Sequence, residues 1–258
     1  MIITSRDNKI FKTAMLLKTS KGRNEKNMFL IEGLRLVRDA IKKDADIFCV
    51  ILKDGTKMDF EVSCPVYTFA PKLFAQICDT VTPQGVIAVC NMKKCTLQEL
   101  VQKKNSCIVM CEELQDPGNI GTIIRTAHAA DCTGVVLTKG CCDLYNPKIV
   151  RATMSGIFSV GVVRDAQSLV TIEYFKELGY KIVAGALTDD AVDFYCADLK
   201  GKCVIVIGNE GNGVKRETLE ACDSVLKIPM SNDAESLNAA VAGAVMIYEH
   251  YRQNEKNL

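Results

Sequence analysis

Three short segments hold the residues whose types and spacing could do chemistry. In the first, Gly208, Gly211 and Gly213 follow the apolar run CVIVI at 203–207. Glycines at that density let a backbone turn sharply and approach a ligand closely. The same pattern also fits a plain strand-to-helix turn. In the second, DPGNIGTIIRTA at 116–127 opens a helix after the apolar run CIVMC at 107–111, with Asp116 and Asn119 as capping types. Arg125 stands isolated there among Ile123, Ile124, Ala127, Ala129 and Ala130. A guanidinium so placed either snorkels to solvent or is held by an anion; Glu210 would serve if the glycine loop and the helix start meet at one sheet edge. In the third, IPMSNDAESLNAAV at 228–241, a strand ends at Pro229, and Ser236 and Asn238 sit at the mouth of the last helix. Backbone amides at such a mouth can bind an anion or a carboxylate.

Several common sites are excluded. The chain has no G-x-x-x-x-G-K-[ST] P-loop and no G-x-G-x-x-G dinucleotide fingerprint. Its thirteen cysteines are odd in number and show no C-x₂-C spacing, and His128 and His250 are the only histidines. No metal site is expected, and the cysteines read as reduced, small core hydrophobes.

Those segments need elements to hold them in place. From residue 107 onward, β-rich runs at 107–110, 134–138, 160–163, 181–187, 203–208 and 225–228 alternate with helical stretches at 120–130, 147–154, 169–178 and 237–252. Such alternation predicts an α/β fold with a mostly parallel, doubly wound sheet. In the last helix Leu237, Val241, Ala244, Val245 and Tyr248 form an apolar stripe at helical spacing. Before residue 107, a basic helical patch at 8–19 is followed by a polar, Lys-rich break at 20–27. A short strand at 29–33 ending in Gly33, a helix carrying Leu34, Val37 and Ile41, and strands at 47–52, 66–69 and 86–89 come next. The polar stretch 92–106 is the best linker, so the domains are expected at 1–100 and 106–258.

Charge divides along the same line. Residues 1–104 hold 18 Lys/Arg against 11 Asp/Glu, a net of +7, while residues 105–258 hold 14 against 20, a net of −6. A basic module joined to an acidic one admits two readings: a polyanion-binding arm, or a solvated basic face. Arg35 and Arg38, one helical turn apart, are candidate phosphate contacts. There is no apolar run long enough for a membrane span and no apolar leader, so a cytoplasmic protein without membrane contact is expected.

Taken in order, DPGNIGTIIRTA at 116–127, VIGNEGNGV at 206–214 and IPM…ESLNAAVA at 228–242 resemble the three motifs of the SpoU (TrmH-type) RNA 2′-O-ribose methyltransferases, within the SPOUT superfamily. FLIEGLRLVRDA at 29–40 and TPQGVIAV at 82–89 resemble that family's small substrate-binding domain. The resemblance implies a catalytic domain with a deep trefoil knot at its C-terminal end, a small N-terminal α/β domain that binds RNA, and a homodimer. It implies S-adenosyl-L-methionine as cofactor, held largely through backbone, with Leu187, Gly208, Gly211, Ile228, Met230 and Leu237 around it. The implied substrate is a ribose 2′-hydroxyl of RNA, with large-subunit rRNA favoured over tRNA.

The same resemblance makes Arg125 central, on the phosphate and sugar of the RNA. A guanidinium keeps its proton up to a pKa above about 12, so positioning and charge stabilisation stand ahead of base catalysis. Asn119, Ser236 and Asn238 would hold the ribose or the arginine, and Glu210 would orient Arg125. A non-catalytic protein that keeps the fold and binds structured RNA is the alternative, and a nucleotide-dependent oxidoreductase on a doubly wound sheet the more distant one.

Overall fold

The computed structural model of the chain describes residues 1–101, 106–188, 190–231, 233 and 236–254. The chain begins β1 (Ile2–Ile3), α1 (Lys9–Leu16), α2 (Ser20–Lys26), β2 (Met28–Glu32), α3 (Leu34–Lys42), β3 (Ile47–Lys53), β4 (Val66–Phe69), α4 (Pro71–Ile77) and β5 (Val86–Asn91). It continues through β6 (Cys107–Cys111), α5 (Pro117–Ala129), β7 (Gly134–Thr138), α6 (Pro147–Ala152), β8 (Gly161–Ala166), α7 (Ser168–Glu177) and β9 (Lys181–Gly185). The last stretch holds β10 (Val192–Asp193), β11 (Cys203–Ile207), α8 (Arg216–Ala221), β12 (Ser224–Lys227) and α9 (Ala239–Asn254). Two compact units result: Met1–Lys93 with Tyr145–Phe158, and Lys94–Leu144 with Ser159–Leu258. Part of the expected linker, residues 102–105, lies outside the described residues.

The first unit is built on a mixed sheet in the order β1-β4-β3-β5-β2, with β5 antiparallel to both its neighbours. Phe11, Ala14 and Leu17 from the start of the unit meet Leu73, Phe74 and Ile77 of α4 over Ile51, Phe69 and Val89 of the sheet. One expectation fails here. Residues 20–26, read as a polar break, form α2, because Thr19 accepts a hydrogen bond from the Gly22 amide at 3.0 Å and starts a new helix. Arg23 then turns inward, only 4% exposed, and donates to the Leu17 carbonyl at 3.0 Å and the Lys18 carbonyl at 3.2 Å. Its charge therefore satisfies the free carbonyls at the end of α1 rather than facing water.

The second unit carries a seven-stranded sheet, β10-β12-β9-β11-β6-β7-β8, parallel throughout. Every residue of β6, β7 and β11 is buried, as expected for strands covered on both faces. Alternate residues serve the two sides. Met110 and Val206 pack with Ile172 and Phe175 of α7, whereas Ile207 packs with Ile123 of α5 against Gly243 of α9. The order reverses between β11 and β6, which places their carboxyl ends side by side at a topological switch point.

The last helix also corrects the sequence reading. Its inward face is Ala240, Gly243, Met246, Ile247 and His250. The stripe read from spacing faces outward at Leu237 (39% exposed), Val241 (50%) and Tyr248 (49%). Small and apolar residues occupy both sides of α9, so period alone could not choose between them.

Candidate active site

The site grows from the carboxyl ends of β6 and β11. After β6 the Glu112 amide donates to the Ile207 carbonyl at 2.8 Å, and Glu113 turns the chain in the left-handed region (φ 52°). Asp116 then caps α5, accepting from the Asn119 amide at 2.9 Å, with Pro117 in the first turn where no amide is needed. After β11 the loop folds on itself. Asn209 and Gly213 exchange backbone hydrogen bonds at 3.0 and 2.9 Å, while Asn209 Oδ1 accepts from the amides of Gly211 and Asn212. Asn209 Nδ2 reaches the Glu113 carbonyl at 2.8 Å and ties this loop to the turn after β6.

The glycine loop, the start of α5 and the start of α9 meet through side chains. Glu210 accepts hydrogen bonds from the backbone amides of Gln115 (3.1 Å) and Asp116 (3.0 Å) and from Asn119 Nδ2 (2.9 Å). Asn119, 6% exposed, accepts in turn from Asn238 Nδ2 at 2.9 Å. Asn238 Oδ1 caps α9 by accepting from the amides of Ala240 and Val241. The chain Glu210–Asn119–Asn238 thus joins all three segments singled out by their chemistry.

Glu210 does not hold Arg125. Its carboxylate takes the two amides and Asn119 instead, and six residues of α-helix turn Arg125 about 120° away from Asn119. Arg125 is exposed and, among the described residues, donates to no acceptor. Ser236 and Leu237 are exposed as well, just before α9; Asn232, Ala234 and Glu235 of the same motif lie outside the described residues.

Leu187, Gly208 and Ile228 come together at one sheet edge. β9 lies between β11 and β12, and the registers Val206↔Ala184 and Leu226↔Gly185 run on to set Gly208, Leu187 and Ile228 just past three neighbouring strand ends. Met230 is half-buried two residues on, and Gly211 is exposed on the loop. Beside Leu187, Thr188 Oγ1 is shielded from solvent and has no hydrogen-bond partner among the described residues. A Cβ on Gly208 would lie 2.2 Å from both Gly213 C and Val214 N, so only glycine allows the loop to close so tightly.

Sequence reasoning missed two residues. Asn209 organises the loop, and an Asn directly after a glycine at a strand end is a turn-former that could have been recognised. Glu112 is 1% exposed and accepts from the Ser168 and Thr218 hydroxyls, both at 2.6 Å, and from the Lys215 amide at 2.9 Å. No local pattern signals it, since its donors lie 56 to 106 residues away.

The two candidate phosphate contacts differ. Arg38 is paired with Asp59 at 2.6 Å and sits over the Phe60 ring at 5.5 Å, and its guanidinium holds the Asp59 carboxyl below the usual range. Arg35 is exposed with no such partner among the described residues.

Burial pushes the Glu210 carboxyl up, but the hydrogen bonds from Asn119, Asp116 and Gln115 together outweigh it and hold the group below the ordinary glutamate range. A carboxyl depressed in the folded state contributes stability above its unfolded pKa, near about 4.3, and loses it as pH falls through the folded value. The melting temperature of the wild type should therefore fall more steeply below about pH 4.3 than that of Glu210→Gln. Equal acid slopes in thermal melts would assign the effect to other carboxylates.

A family model described as the SpoU rRNA Methylase family matches residues 106–248. The chain belongs to that family. A second model, the MRM3-like substrate binding domain, matches residues 8–88. Among relatives of this SpoU family member is the 23S rRNA (guanosine(2553)-2′-O)-methyltransferase RlmP of Bacillus subtilis, 35% identical over 95% of this chain and 97% of that protein. The solved SpoU methyltransferase AviRb from Streptomyces viridochromogenes, in complex with the cofactor AdoMet, is similar with a TM-score of 0.87 and 26% identity, over 95% of this chain and 98% of the other. An AdoMet-bound rRNA methyltransferase from Sinorhizobium meliloti also has a TM-score of 0.87, at 29% identity over 98% and 97% of the two chains. The seven-stranded parallel sheet is the fold these SpoU structures share with it.

Proposed function

We propose that this SpoU family member uses S-adenosylmethionine to methylate a ribose 2′-hydroxyl of ribosomal RNA, with the large-subunit species favoured. The observation that carries the reading is the Glu210–Asn119–Asn238 chain, which fastens the three family motifs into one site. The cofactor fits the sheet edge beside it: Gly208 keeps the loop tight, Thr188 Oγ1 lacks a partner among the described residues, and Leu187 and Ile228 flank the opening with Gly211, Met230 and Leu237 from the same motifs. S-adenosylmethionine supplies a methyl group already activated on a sulfonium. What the protein must add is alignment of the attacking oxygen and care of its proton.

Roles follow from what each side chain touches. Glu210, Asn119 and Asn238 are held by one another, and we assign them to positioning the loop and the two helix starts. Arg125, exposed and without an acidic partner among the described residues, and Ser236 are left for the RNA. Arg125 would hold the phosphate and sugar and stabilise charge on the attacking oxygen.

Three further parts belong to this reading. Residues 1–100, joined in the first unit by Tyr145–Phe158, would bind the RNA, and the rest of residues 106–258 would carry the chemistry. The C-terminal segment would be knotted, which fits α9 returning to the start of α5 through Asn238 after β12 has paired beside β9. A second copy would cover Leu237, Val241 and Tyr248, apolar residues exposed on one side of α9. We place the enzyme in the cytoplasm, where free cysteines such as the half-exposed Cys141 and Cys142 stay reduced.

Incubating the full chain with methyl-labelled S-adenosylmethionine and bulk rRNA or tRNA tests the reading. Label is expected in rRNA, in dinucleotides that resist alkaline hydrolysis. Cofactor binding with no label in either pool would instead favour a non-catalytic RNA-binding protein.

A further inference from the structure

The first unit contains a cavity of about 320 Å³ between the end of β2, the first turn of α3, the loop before β5 and α6. Its floor is set by two hydrogen-bonded groups. Gln84 Oε1 accepts from the Leu34 amide at 2.9 Å and so caps α3, while Gly33 adopts φ 107° close beneath it. Glu32 is occupied by the amides of Asp79 and Thr80 and by the Thr80 hydroxyl, and Arg151 is paired with Asp79.

Subtracting those pairs leaves a small set of free groups. Among the described residues, the Asp39 carboxylate, Gln84 Nε2 and the Arg35 guanidinium have no partner, and all three residues line the cavity. Leu36 and Met154 supply apolar wall. One free cation and one free anion leave no net charge, which does not suit a phosphate. They suit a neutral, flat ligand with donors and an acceptor on one edge. A cavity of this size lies at the small end of ligand pockets, which run from about 300 Å³.

We propose that this cavity receives an unstacked guanine of the RNA substrate. The inference rests on the RNA-methyltransferase reading above and gives its substrate domain a base-reading site. Guanine offers two adjacent N–H donors, N1 and N2, to the Asp39 carboxylate and its O6 acceptor to Gln84 Nε2. Arg35 and the apolar wall cover the ring faces, as side chains do around unstacked bases in RNA recognition. Phosphate attraction brings the RNA to the basic face, and the cavity then selects position along it.

Asp39→Asn separates this from plain charge attraction. Removing a negative charge from a basic face should tighten RNA binding, whereas loss of the guanine acceptor should weaken it, by about tenfold for one bidentate contact. The full chain is titrated with an rRNA fragment that the wild type methylates, and S-adenosylmethionine affinity is measured in parallel. Expected are weaker RNA binding, a raised KM for RNA and unchanged cofactor affinity. Gln84→Glu, which keeps the α3 cap and loses the donor, should act in the same direction. In a second measurement, guanosine 5′-monophosphate should shift the NMR signals of the Leu36 and Met154 methyls in the wild type but not in Asp39→Asn, and uridine 5′-monophosphate should shift neither. Unchanged or tighter RNA binding by Asp39→Asn, or methyl shifts that are absent, retained in the variant or equal for both nucleotides, overturns the proposal. A wild type that binds the cofactor but methylates no RNA would overturn the activity instead.

Discussion

Replacing Arg125 with alanine is expected to lower kcat for methyl transfer by about 10²–10³-fold, the usual effect of removing one charge-stabilising donor. Affinity for S-adenosylmethionine should stay within about twofold, because a change that small is under 0.5 kcal/mol. The reason is geometric. Arg125 projects from α5 outside the Glu210–Asn119–Asn238 chain, and it has no acid partner among the described residues whose loss would unfold the loop. Its removal is therefore expected to cost contact with the RNA and little else. Equilibrium dialysis with labelled cofactor and single-turnover kinetics separate the two effects. A variant that no longer binds cofactor would place Arg125 on the wrong side of the reaction.

Gly208→Ala should have the opposite signature. The new methyl carbon would lie 2.2 Å from Gly213 C and Val214 N, and both are backbone atoms that cannot swing aside as a side chain can. The loop must open, and forced overpacking of this kind costs about 1–3 kcal/mol. Cofactor affinity should fall by at least about tenfold, with catalysis at saturating cofactor less affected. Gly211→Ala makes the comparison within the same loop: its Cβ meets only Asn209 Oδ1, at 3.6 Å, so the loop is not forced open and the variant should lose much less cofactor affinity than Gly208→Ala. Indistinguishable affinities for the two variants would mean that the tight closure of 208–214 is not what shapes the cofactor site.

The parts of the fold that could be read in advance are those where one signal dominates. CIVMC and CVIVI are apolar at every position, and both became strands buried on both faces. The three motif segments likewise declared themselves by residue type. Elsewhere two physical effects competed. Six polar residues and a glycine from Ser20 to Lys26 look like a break, yet a threonine cap and one inward arginine make them a helix. α9 carries apolar residues on both sides, and the buried side was the one built from Gly243, Met246 and Ile247. Glu210 and Arg125 attract on paper, but helical phase and two backbone amides gave the carboxylate other partners. Arg38 found Asp59, twenty-one residues away, through a pairing that no periodicity encodes.

The side-chain chain at the centre of the site has a consequence for how the protein is made. Glu210 and Asn119 are 91 residues apart, and Asn119 and Asn238 are 119 apart. Links of such span bear a large loop-closure entropy and form late in folding. An elongating chain that has already laid down β6, α5 and β11 still lacks the residue that completes the bridge. Truncation before residue 238 would leave Asn119 Oδ1 without that donor, so ligand affinity should emerge only with the final helix, and folding of the second unit should be slow for its size.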